Sequence, residues 1–217
     1  MLEYFGIEVL HLFIENIFLT FILPISILTL CTLLQIVMNH SFDNKIESNG
    51  NSLTDIHSYI RGHVSVLFHK NITSMVGNVV FYSACMYYFE MYFNSTSLMY
   101  ILIDLTLSYG LVLSVFTVLV NKLNKFETGS NYRFGFMGFD GVCYSLFVSL
   151  SMFLYSNNID RIEIFIMIAI VIMYEVVSNI ICQIKGYLRC ENRLHFVYRY
   201  LGIFIGLIYY HLIKYTV

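Results

Sequence analysis

The sequence predicts an all-α membrane protein, a bundle of six transmembrane helices in a single domain covering residues 1–217. Two observations carry this. The first is composition: 58% of residues are apolar, 17% aromatic and only 12% charged, against roughly 25% charged in a soluble domain. A water-facing surface on a chain of this size needs more charge than that, and so few charges with a single proline also exclude a disordered chain. The second is continuity. Six apolar runs each approach the ~20 residues that a helix needs to cross a hydrocarbon core about 30 Å thick. No stretch alternates polar and apolar residues over about ten positions, as a barrel strand would.

The runs fall at about 16–38, 72–93, 97–121, 135–155, 162–183 and 198–216. The first is expected to be retained rather than cleaved as a signal. Glu3, Glu8 and Glu15 stand where a signal carries basic residues, and no small-residue cleavage site follows. Pro24 removes a backbone donor from this helix and predicts a kink. The connection at about 39–71 (loop 1) holds most of the loop-like polar sequence, and the other connections are short. No internal repeat is evident.

Six crossings put both termini on one side. Lys45, Arg61 and Lys70 lie in loop 1, Lys122, Lys125 and Arg133 in loop 3, and Lys185, Arg189 and Arg193 in loop 5. The positive-inside rule places those odd loops in the cytosol. Sequons at Asn39, Asn71 and Asn94 offer a test. The formal charge of −2 leaves no basic patch for nucleic acid. Cys31, Cys85, Cys143, Cys182 and Cys190 lack metal-ligand spacing and read as small hydrophobes. His11, His40, His57 and His63 are likewise not grouped. No metal or other cofactor is expected. Tyr87, Tyr88, Tyr92, Tyr209 and Tyr210 near span ends suit interfacial belts.

Ionisable residues inside a membrane cost at least ~2.5–3.5 kcal/mol each and mark sites to explain. Asp104, Asp140, Glu175 and Arg199 lie within the runs, and Glu90 ends the second. Asp104 and Glu175 are expected to face the bundle interior, neutral or hydrogen-bonded. Asp140 sits in Gly138-Phe139-Asp140-Gly141, whose small residues allow a neighbouring helix to approach closely. Arg199 stands three residues before Gly202-x-x-x-Gly206, a seam of the same kind.

Taken together, these motifs resemble the rhomboid superfamily of intramembrane serine proteases, which carry GxSG at the head of span 4 and a His three residues before the GxxxG of span 6. Tyr59 and Arg61, then Phe68-His69-Lys70-Asn71, Asn78 and Glu90 are similar to the family's run through loop 1 and span 2, and Asn78 to Glu90 keeps its twelve-residue spacing. Glu175 matches a glutamate of the small ER-type eukaryotic members. The likeness covers roughly residues 57–210. It departs at the chemistry. Asp140 stands at the nucleophile position, Arg199 at the general-base position, and Ser74 at the oxyanion-side His, whose companion Asn78 is kept.

A serine protease needs a hydroxyl whose proton an adjacent base can take. A carboxylate has no such proton, and a guanidinium with pKa above ~12 is no base. The resemblance therefore implies a pseudoprotease, not an enzyme, whose Asp140 and Arg199 form a buried, charge-assisted clasp. It further implies partners in the bilayer, namely transmembrane segments of client proteins, and work in quality control, degradation or trafficking at the endoplasmic reticulum or Golgi. Rhomboids of this size keep both termini cytosolic, opposite to the charge count.

Three rival readings use the same residues. A di-aspartyl protease built on Asp104 and Asp140 lacks its GxGD and Pro-Ala-Leu motifs, since Pro24 is the only proline. A protease on non-standard residues, such as Ser145 with His195 or Ser130 nearby, would need Ser145 on a different face of the helix from Asp140. An ion-coupled transporter could string Asp104, Asp140 and Glu175 along a path, but repeats and broken helices are missing.

Overall fold

A computed structural model describes residues 17–38, 56–69, 72–128, 138–159, 161–184 and 190–216. Among them every regular element is helical. A π-helical turn, Phe18–Ile22, leads into α1 (Leu23–Met38). Then come α2 (Ile56–Leu67), α3 (Ile72–Phe89), α4 (Ser95–Thr128), α5 (Asp140–Ser156), α6 (Arg161–Ile184) and α7 (Cys190–Thr216). Among the described residues two stretches, Phe18–Val37 and Ser95–Leu123, are long and apolar enough to cross a membrane.

The six apolar runs map onto α1 and α3 to α7, and α2 is the addition. It lies inside the segment read as loop 1 and packs across α4. A Cβ at Gly62 would overlap Ser114, and one at Gly110 would come 2.8 Å from the His63 ring. The Ser114 hydroxyl donates to the Gly110 carbonyl at 2.7 Å. At its far end α2 holds the approach to α5, because the Ser65 carbonyl accepts the Gly138 N–H at 3.0 Å.

Pro24 acts through the turn that precedes it. It has no N–H to give the Thr20 carbonyl four residues back. The chain widens into the π turn, where Leu23 N–H bonds the Phe18 carbonyl. The Tyr82 hydroxyl of α3 donates to the Thr20 carbonyl at 2.6 Å, and the Thr20 hydroxyl donates to Glu90. A wide turn of this kind exposes backbone acceptors to a neighbour, and α3 supplies the donor.

α5 is the core of the molecule: twelve of its seventeen residues are buried, from Asp140 to Leu154. Its closest partner is α7. A Cβ on Gly202 would overlap the Gly141 carbonyl, and one on Gly206 would sit 2.6 Å from the Ser145 carbonyl. The two helices therefore meet backbone to backbone. On the other side of α5, the Tyr109 ring of α4 fills the space where a Gly141 side chain would be. α4 buries Leu98, Leu102, Leu105, Tyr109 and Leu113, one face of a 3.6-residue helix. α6 is seated lightly, and Ile164 is its only buried residue among those whose side chains are described.

Asp104 corrects an expectation. It lies off the buried stripe of α4, on the exposed face rather than inside the bundle, and accepts a hydrogen bond from the Tyr209 hydroxyl at 3.1 Å. Tyr88 and Tyr210 are also buried instead of forming an outer belt, whereas Tyr87 is exposed.

Candidate functional site

Four of the residues singled out from the sequence, His69, Asn78, Asp140 and Arg199, meet at the head of α5. Gly138 precedes it with φ of 137°, a backbone region that only glycine enters without strain. That turn presents Phe139 and Asp140 to the bundle, and Asp140 opens the helix, buried. Its first-turn position suits a carboxylate, since the helix dipole is positive there.

Asp140 is gripped from two sides. Arg199 Nε of α7 lies 3.1 Å from Asp140 Oδ2, and Asn78 Nδ2 of α3 donates to Asp140 Oδ1. The Arg199 guanidinium also stands over the Tyr144 ring, 6.0 Å from its centroid, a distance at which cation and ring attract. Close backbone contact through Gly141 and Gly202 puts the two charges in reach of one another. The Tyr109 hydroxyl reinforces the crossing by donating to the Tyr198 carbonyl at 3.2 Å.

Beyond Asn78 the polar chain continues. His69, fully buried in the link between α2 and α3, lies with Nε2 2.8 Å from Asn78 Nδ2. The Phe139 N–H points at the same nitrogen from 3.4 Å. Two donors on Nε2 make it the acceptor, so the proton sits on Nδ1. That nitrogen faces the Thr32 hydroxyl at 3.3 Å, and Thr32 passes its own proton to the Leu28 carbonyl at 2.8 Å. Burial pushes the His69 pKa down, and the charge of Asp140 opposes this only partly. The ring is a neutral spacer in a relay running Thr32, His69, Asn78, Asp140, Arg199 across four helices and one link.

Of the remaining predicted positions, Ser74 lies one turn before Asn78 on α3, partly buried. Glu90 is separate from the relay and binds Thr20. Gly138, Gly141, Gly202 and Gly206 shape the helix approaches. Asn71 lies outside the described residues, as do the side chains of Glu175 and His195 and all of Ser130. Two participants escaped the sequence reading, Thr32 and Tyr144. Thr32 is one of several polar side chains in its run, with Thr20, Ser26, Thr29 and Gln35, and its partner lay 37 residues away, so nothing in the sequence singled it out.

The rival sites can be weighed on the same geometry. Asp104 and Asp140 have different partners, Tyr209 for one and Asn78 with Arg199 for the other. They do not share a proton with each other. The Ser145 hydroxyl is fully buried and lies 2.8 Å from both the Gly141 and Gly202 carbonyls. Its proton is held by backbone, which makes it a fastening of the α5–α7 seam. Among the described residues no three His, Cys, Asp or Glu side chains gather as metal ligands.

Compared with protein-family models, curated proteins and solved structures, the chain matches none.

Chemically, the arrangement is a set of mutually paired polar groups. Each Asp140 oxygen meets one partner, the Arg199 guanidinium or the Asn78 amide, and the His69 imidazole has partners on both nitrogens.

Proposed function

We propose that the chain is a catalytically inactive relative of the rhomboid proteases, a six-span membrane protein that binds transmembrane segments of client proteins. The single observation that carries this is the ion pair between Asp140 and Arg199, at the two positions where the resemblance puts nucleophile and base. Opposite charges there neutralise each other and fasten α5 to α7, which leaves no acyl-transfer machinery.

Further support comes from the outer surface. Large apolar side chains are exposed around the bundle, among them Val37 on α1, Leu107 on α4, Phe165 on α6 and Phe204 on α7. Apolar area on this scale suits hydrocarbon rather than water. With the two helices long and apolar enough to cross a membrane, it supports membrane association; the multi-pass topology and the endoplasmic reticulum or Golgi come from the resemblance. The lightly seated α6 is the element that can lean away and admit a client helix toward Asn78 and Asp140. A client with a polar or helix-weakening transmembrane segment gains most from those groups. Quality control, degradation or trafficking of membrane proteins would use such binding.

The test combines two measurements on the full chain in native membranes. A fluorophosphonate probe should label no serine. A photocrosslinking residue placed on the α3 or α6 side of the site should capture transmembrane peptides of other proteins. Labelled serine, or cleavage of a membrane-embedded peptide by purified protein, overturns the reading.

A further inference from the structure

A cleft of about 530 Å³ runs between α5, α6 and α7, within the range of sites that hold small ligands. Its α5 wall extends from Tyr144 to Tyr155, with Ser151 between them, and Ile164 and Ile168 of α6 form the opposite side. Nearly all the lining is hydrocarbon or aromatic. The exception is Ser151, whose hydroxyl is buried and has no hydrogen-bond partner among the described residues. Buried polar groups in folded proteins nearly always find a partner, so this hydroxyl asks for one from outside the chain.

Dimensions choose among occupants. The eleven residue-to-residue rises from Tyr144 to Tyr155 span roughly 16 Å, close to half of a ~30 Å hydrocarbon core. The cleft is therefore one leaflet deep. A crossing helix needs about twice that length. At the inner end the cleft stops at Tyr144, beneath Arg199. At the outer end Arg161 stacks over the Tyr155 ring, 5.0 Å from its centroid, and exposed Glu163 stands on the same first turn of α6. Ser151 lies one helical turn below Tyr155, about 6 Å further in. That is the order of groups along a membrane lipid: charged head, ester carbonyl, chain.

We propose that this cleft holds one acyl chain of a zwitterionic glycerophospholipid, its ester carbonyl accepting a hydrogen bond from Ser151 and its phosphate beside Arg161. The bound chain cements α6 to α5 and sets how readily α6 leans away. The site rests on the membrane reading above, and it is separate from the polar relay.

The experiment uses the full-length protein in bilayers containing a phosphatidylcholine with a photoactivatable acyl chain. Label is expected on peptides within 144–155 and 162–173. Ser151→Ala should weaken it about fivefold, the worth of one ordinary hydrogen bond, and Ile168→Trp should abolish it by filling the cleft from the exposed helix. Both variants are first checked for an unchanged melting temperature in detergent. Label elsewhere, or label that Ile168→Trp leaves intact, overturns the site. Preferential capture of a sterol probe or of a transmembrane peptide probe at the same residues also overturns it. Alkaline carbonate extraction of the wild type separates the two ideas. A chain that leaves the membrane sinks the membrane reading, whereas a chain that stays but is not labelled at α5–α6 sinks only the lipid site.

Discussion

Arg199 and Asp140 are largely buried on both sides of their contact, so each charge is tolerated because the other is there. Removing one partner strands the other, at a cost of ~3–5 kcal/mol. Asp140→Asn should therefore lower the melting temperature in detergent sharply. Arg199→Gln in the same background should recover part of the loss, because no bare charge remains. Strictly additive losses would show that the pair is not coupled. His69 supports a second measurement. Its Nε2 accepts from Asn78 and Phe139, and a proton there would set donor against donor. Burial holds its pKa below the ordinary 6.5, so as pH falls the unfolded chain takes up the proton first. Stability contributed by the neutral ring is complete above about 6.5 and declines below it, down to the lowered folded pKa, by at most ~1.4 kcal/mol per pH unit. Melting curves from pH 8 to 5 should show this slope. His69→Gln, which can still accept from Asn78, should flatten it, and an equal slope in both proteins would assign the titration elsewhere.

α5 and α7 are joined by glycines whose missing side chains leave room for backbone. Gly202→Ala and Gly206→Ala would each force atoms into carbonyls of α5 and should destabilise by about 1–3 kcal/mol. Phe204→Leu, on the exposed face of the same helix, should stay within ~0.5 kcal/mol. Thermal melts of the three variants separate a packing seam from a general sensitivity of α7. That this seam exists was legible from the Gly202 and Gly206 spacing, and the charges marked its site. The partner surface at Gly141 and Ser145 needed the fold, since spacing on one helix says nothing about what approaches it. Helix ends were less legible. Apolar runs mark where hydrocarbon would be, while α4 continues through Lys122 and Lys125 and α7 starts early through Glu191 and Arg193, because a helix carries polar turns past an apolar zone without breaking. α2 went unread for a related reason. Its twelve residues are too short and too polar for a crossing run, and their stability comes from the Gly62–Gly110 approach to α4.

At the scale of the whole molecule, α2 bears on which way the bundle sits. Arg61 is one of the nine basic residues by which the charge count placed loops 1, 3 and 5 in the cytosol. Arg61 belongs to a helix docked on α4 and is partly buried, and the positive-inside rule counts the free, short loops beside crossing segments. Without Arg61, loop 1 keeps Lys45 and Lys70, and loops 3 and 5 keep all six of their basic residues, so the charge count still places the odd loops inside, by a smaller margin. The rhomboid resemblance implies the opposite orientation, with both termini cytosolic and loop 1 lumenal, and that is the orientation proposed. Loops 1 and 2 face opposite sides, so Asn39 and Asn94 report opposite answers. Asn39 lies outside the described residues. Asn94 is exposed and caps α4, its Oδ1 accepting the Ser97 N–H at 2.7 Å, which leaves Nδ2, the atom a glycan would join, unengaged by the cap. Expression in cells should give a glycan-dependent gel shift that disappears when Asn39→Gln is combined with Asn71→Gln and persists in Asn94→Gln. A shift that depends on Asn94 alone would turn the bundle over and put the α3–α4 turn in the lumen.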